Sequence, residues 1–386
     1  MVGAVIIAAV FFVAGGSPGP SAPTAPTTPA PESKDTTAPV ISDVSIPAAG
    51  RTGALITWTT DEAATSQVVY GQEVNLDLKS APDTGLVTSH SVILSDLTAE
   101  TIYGFQVVSR DAAGNESISP LSSLATSAAG TLVGGVISEN TTWTRADSPY
   151  FVTSSIKVPA KVTLTMEPGV SVSMVGSDAY MFQVAGRVNA AGIPGHKITL
   201  DGGMHSIFSC EDNAGTAVVD LDYCIFENGA SLITSVGRFS LRYSDITNFT
   251  QPSDISSPAE PVYIEYNNFK NATGFITGGG SPVYIRFNYF DTKNRTVQDT
   301  PWVVNRAGPA TMVNYNFFLH TVGIAVMLQP GAGTEGMIAT NNYWGTSDIF
   351  EIDAMIWDKK DDSRIASEIL YKPFRTSPEP YRLMIM

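Results

Sequence analysis

Cysteine is nearly missing from this sequence. Cys210 and Cys224 are the only two, so at most one disulfide can form, and neither sits in a CxxC or Cys/His zinc spacing. Histidine is as scarce: His90, His196, His205 and His320 lie far apart, with no HxxxH or HExxH pair to seat a metal. Charge is low at 15% of residues, and the basic share is the smaller one. With 22 Lys and Arg against 37 Asp and Glu, the net charge is −15, which repels phosphate backbones and excludes nucleic acid as a partner. What the chain does have is 33 Gly and 24 Pro, a composition suited to short strands and many turns. The expected class is therefore all-β, and 386 residues are too many for one ordinary core.

The first charged side chain is Glu32. Residues 1–16, MVGAVIIAAVFFVAGG, form a short apolar helical segment that would reach about 24 Å as a helix, short of the roughly 30 Å core of a bilayer. Three roles remain open for it: an export signal, a membrane anchor, or an assembly helix through which copies self-associate. Residues 17–38 are a Pro/Thr/Ala/Ser tract, expected to be an extended linker.

From 39 to 127 short alternating segments follow one another: VISDVSI, ALITWTT, SQVVYG, HSVILSDL and YGFQVVSRD. With Trp58 in ITWTT and LSDLTAETIYGFQVVSRDAAGN behind it, this stretch resembles a fibronectin type III domain. The resemblance implies a β-sandwich in which Tyr103 bonds back toward the loop after Leu97.

The region 130–386 repeats. Rows beginning at Val219, Phe239, Val262, Val283, Thr311 and Gly336 recur at intervals of roughly 20 to 28 residues. Positions one, three and five are mostly apolar and are expected to point inward, as in Val262, Ile264 and Tyr266. Position eight is large and apolar too, so a corner is expected at positions six and seven. Asn267, Asn288, Asn316 and Asn341 sit there, a column whose amides can bond from coil to coil. Such a column resembles the asparagine ladder of a right-handed parallel β-helix, and NNYWGTSD followed by IWDKKDDSRIASEILYKPF resembles the last coil and cap of secreted β-helix proteins.

Parallel β-helices include pectin lyases and polygalacturonases, so catalytic sets need testing. Outward position four reads Asp222, Arg242, Glu265, Arg286 and Asn314. This is expected to be a salt ladder that fixes register, with no second carboxylate beside it. Tyr263 and Tyr284 at position two of adjacent coils form a candidate glycan platform. Asp358, Asp361 and Asp362 lack EF-hand spacing and are expected in a solvated cap loop. Sequons at Asn115, Asn140, Asn248, Asn271 and Asn294 are candidate glycosylation sites.

These features lead to an expectation of no catalytic residues, cofactor or metal, and of an extracellular or cell-surface protein that is not an enzyme. The expected role is structural or adhesive, as a filament or surface-layer subunit assembled through 1–16 and facing surface glycans. The alternative is a secreted carbohydrate-active β-helix enzyme or a glycan-binding module.

Overall fold

The computed structural model describes residues 35–378 apart from 176–178, 211–215, 235–236, 257–259, 292–299, 308–310, 320–322 and 335. The segment 1–16, most of the linker, Asn294 and His320 lie outside the described residues. Strand dominates, and among the described residues one short helix, Ile349–Asp353, is capped by the Asp348 carboxylate. No helix among those residues is long and apolar enough to cross a membrane.

The N-terminal unit is antiparallel. Its strands are β1 (Ile41–Ala49), β2 (Ala54–Gln72), β3 (Leu78–Lys79), β4 (Asp83–Leu94), β5 (Ile102–Arg110), β6 (Glu116–Ile118) and β7 (Ser122–Ala125). The segments ALITWTT and SQVVYG, expected as separate strands, are one continuous β2. Its first half pairs with β1 and β4 and its second half with β5; register shifts around the fully buried Ala64 carry the chain from one set of partners to the other. Ile56, Trp58, Val68, Leu94, Phe105 and Val107 fill a core of their own. The Tyr103 hydroxyl accepts from the Thr98 N–H at 3.0 Å, the back-bond expected at that corner.

His90 lies inside this unit, 2% exposed. Its ring stacks on Trp58 at 4.9 Å, and its two nitrogens lie 2.8 Å from the hydroxyls of Thr60 and Ser66. Burial pushes the imidazole pKa down, against a smaller upward pull from Asp83. The unfolded chain takes up a proton at about pH 6.5, where folded His90 does not yet do so. The unfolded state thus binds more protons, and this contribution to stability is complete above that pH and lost as pH falls. Unfolding of the unit should become easier between about pH 7.5 and about pH 5.5, and His90→Gln should flatten that dependence. Equal pH dependence in both proteins, followed by Trp58 fluorescence, would contradict this account.

From Thr131 the pairing becomes parallel and the chain winds as a β-solenoid. A typical coil supplies three strands, such as Val262–Glu265, Asn268–Lys270 and Phe275–Gly278, each paired to its counterpart one coil on. One face is a ten-stranded sheet running from Thr141–Trp143 to Ile369–Leu370. Inside, Phe269, Phe290, Phe318 and Trp344 stack at 4.9, 5.1 and 4.9 Å, filling the axis with rings at the spacing the strands impose.

The corner falls one residue earlier than expected. Tyr223, Tyr243, Tyr266, Phe287, Tyr315 and Asn341 have φ between 49° and 60°, so position five is left-handed and points outward. One left-handed residue breaks the alternation and turns position six inward. Tyr266 is therefore an outer residue. Its column of rings stacks at 4.8, 5.1, 4.9 and 5.2 Å, contacts that offset the steric cost of left-handed angles in bulky residues.

Position six carries the inner ladder. The Asn288 Oδ1 accepts from the Asn267 N–H at 2.9 Å and from its Nδ2 at 3.0 Å, and Asn316 serves Asn288 in the same way. The next member is Asn342, whose Oδ1 accepts from Asn316. Asn341, expected in that place, is the left-handed residue beside it. Toward the N-terminus Asn267 accepts from Ser244 N–H, and Ser244 Oγ from Cys224 N–H. Cys224 is a free thiol, buried, with its pKa pushed far up by that burial.

Candidate functional site

The outer face of the ten-stranded sheet concentrates chemistry in three neighbouring columns. Register aligns Asp220, Ser240, Tyr263 and Tyr284 at position two. It aligns Asp222, Arg242, Glu265, Arg286 and Asn314 at position four. The outward rings of position five flank them.

Tyr263 and Tyr284 stack on each other at 5.3 Å with planes 9° apart. Their facing sides are covered, so what they offer a sugar is ring edge and hydroxyl rather than a flat platform. Arg242 lies 5.6 Å from the Tyr263 centroid and Arg286 4.9 Å from that of Tyr284. Between the two guanidinium groups sits Glu265, 3.5 Å from Arg242 and 3.0 Å from Arg286 Nε.

The sequence-based expectation that no second carboxylate accompanies this column is incorrect. In the strand Val218–Asp222 the pattern D-x-D puts Asp220 and Asp222 on the same outward face, about 6.6 to 6.8 Å apart along the backbone. Their surroundings differ. Asp220 receives Arg187 at 2.9 Å, Arg238 at 3.3 Å and the Ser240 hydroxyl at 2.9 Å. Asp222 makes no such set of bonds. Burial pushes its carboxyl above the usual carboxylate range; Arg242 opposes the shift and Asp220 adds to it. The signal was present in VDLDYCIF, where alternation alone places both aspartates outside.

Other candidates resolve into structural roles. Asp358 is buried, with one oxygen accepting from Lys360 N–H and the other from Ile369 N–H, both at 2.8 Å. Asp361 accepts from the Asp358 N–H, and Asp362 pairs with Arg364 at 2.7 Å. These three carboxylates pin the cap turn and do not converge. Among the described residues, Asp35, Glu62 and Asp111 bring carboxylate oxygens within 4.8 Å of one another, but Asp111 is engaged by the N–H and Nδ2 of Asn115.

The sequons differ in the freedom of their amides. Asn115 Nδ2 donates to Asp111, Asp35 and Thr37. Asn248 and Asn271 form a second, outer ladder with Asn228. Asn140 is exposed and uses only its carbonyl oxygen, accepting from Thr163 N–H.

No family profile and no curated protein matches the sequence. Among solved structures, the chain is similar to pectate lyase PelI from Erwinia chrysanthemi in complex with tetragalacturonic acid, at 11% identity and TM-score 0.20. That likeness covers 77% of this chain and 88% of the other. It is also similar to a family 28 exopolygalacturonase from Yersinia enterocolitica, at 10% identity and TM-score 0.25, over 88% of this chain and 85% of that one. The sensor domain of the anti-sigma factor RsgI4 from Pseudobacteroides cellulosolvens is similar at 17% identity and TM-score 0.20, over 24% of this chain and 99% of that domain. These are likenesses of fold. The expectation of a chain that is not an enzyme does not stand, because it rested on the absence of a second outward carboxylate, and Asp220 lies beside Asp222 on the outward face of the strand Val218–Asp222.

Proposed function

We propose that the chain is an exported carbohydrate-active enzyme that hydrolyses an acidic polysaccharide on the outer face of its ten-stranded sheet. The observation that carries this is the pair Asp220 and Asp222, two carboxyl groups on one strand face with unequal surroundings. Asp222, whose carboxyl burial shifts toward its protonated form, is the acid that gives a proton to the glycosidic oxygen. Asp220 accepts from the attacking water. Arg187, Arg238 and Arg242 surround the pair, which supports an anionic substrate even though the chain as a whole is at −15. The N-terminal unit serves as a fibronectin type III-like spacer, and 1–38 as export segment and tether.

Purified protein given acidic polysaccharides should release reducing ends without the ultraviolet-absorbing unsaturated ends of a lyase. Asp222→Asn should slow this by about 100-fold or more while melting like the parent. Wild-type activity should fall as pH rises and Asp222 loses its proton. Unsaturated products, or an Asp222→Asn protein of full activity, would refute the assignment.

A further inference from the structure

From Asp222 to Arg286, position four changes sign from one coil to the next, and the following coil carries the uncharged Asn314. Asp222, Arg242, Glu265, Arg286 and Asn314 are register neighbours on successive strands, about 4.8 Å apart. Its cations therefore recur every second coil, about 9.6 Å apart, with a carboxylate between them. The arginines are the accessible members, with side chains 36% and 34% exposed against 13% for Glu265. On the neighbouring column Ser240, Tyr263, Tyr284 and Met312 are uncharged, offering hydroxyls and ring edges. An extended pyranose chain lying along the solenoid axis advances by about one coil rise per unit.

We propose that this face selects a polysaccharide in which charged and uncharged sugars alternate, over one that carries a carboxylate on every sugar. The proposal rests on the carbohydrate-directed reading of the same face. In an alternating chain, successive uronates meet Arg242 and Arg286 while the neutral sugar between them lies over Glu265 and hydrogen-bonds the tyrosine hydroxyls. In a homopolymer the intermediate carboxylate faces Glu265. A like-charge contact at a partly desolvated position disfavours that complex without clashing sterically.

The test is equilibrium binding of the full chain to oligosaccharides of equal length. One set is cut from hyaluronan, which alternates a uronic acid with an N-acetylated hexosamine, and the other from polygalacturonate. The alternating set should bind about tenfold more tightly at low salt, with the preference shrinking as salt rises. Glu265→Gln should strengthen homopolymer binding and erase most of the preference. Equal affinities, tighter binding of the homopolymer, or binding of neither would overturn the proposal, whether or not the variant folds. The hydrolytic reading fails separately. Preferential binding without cleavage refutes hydrolysis alone, and cleavage of both polymers without preference refutes selection alone.

Discussion

Asn288→Ala should destabilise the solenoid by about 2 to 4 kcal/mol, because the amide it removes is the acceptor for the Asn267 N–H, which has no other partner among the described residues. Asn288 is fully buried. Its Oδ1 accepts from the Asn267 N–H, and its Nδ2 donates to the Ile264 carbonyl at 2.8 Å. Alanine leaves the Asn267 N–H unpaired where water does not reach, at about 1 to 3 kcal/mol, and removes the bond to the Ile264 carbonyl, at about 1 kcal/mol. Asn341 provides the contrast. It is half-buried and left-handed, and its side chain makes only a 3.4 Å contact to Thr340. Asn341→Gly keeps the backbone angle at ease and should change stability by no more than about 0.5 kcal/mol. Denaturant titration of the two variants separates the inner ladder from the outer corner. Equal losses would mean that the amides of the ladder do not carry the coil-to-coil bonds.

The largest loss is expected at Phe290→Ala. Phe290 is fully buried in the axial stack, touching Phe269, Trp302 and Phe318 with centroids at 4.9, 4.8 and 5.1 Å. Removing the ring should cost about 3 to 5 kcal/mol, since parallel strands on every side prevent the cavity from collapsing. The outer Phe287→Ala, which removes a half-buried ring from the other aromatic column, should cost well under half of that. Near-ultraviolet circular dichroism with chemical unfolding would measure both. A Phe287 variant as unstable as the Phe290 variant would place the structural weight on the outer column.

The sequence made the coils legible because their rows repeat large apolar residues at fixed offsets, and Phe269, Phe290 and Phe318 all occupy the column assigned to them. It failed where side chains are small or ambiguous. In the row at Gly336 the interior is Ala339 and the neighbours are two adjacent asparagines, so alternation could not set register. The row in fact begins at Met337, paired with Thr311, which moves the ladder to Asn342. Tyr266 was misplaced for a different reason: a bulky ring suggests burial and gives no sign of a left-handed backbone. At Asp220 the signal was plain: the alternation that puts Tyr263 and Tyr284 at outward position two puts this aspartate in the same column.

The alternating column also limits how such a protein can change length. A solenoid whose interior repeats once per coil tolerates, as far as its core is concerned, the gain or loss of any whole turn. Its outer charge pattern does not. Excising residues 262–282 would rejoin matching inner columns yet set Arg242 against Arg286, two like charges in direct register, whereas excising 262–310 would set Arg242 against the uncharged Asn314. The interior counts coils singly and the surface counts them in pairs. Parity, more than packing, then decides which duplications and deletions of this rod leave its face intact.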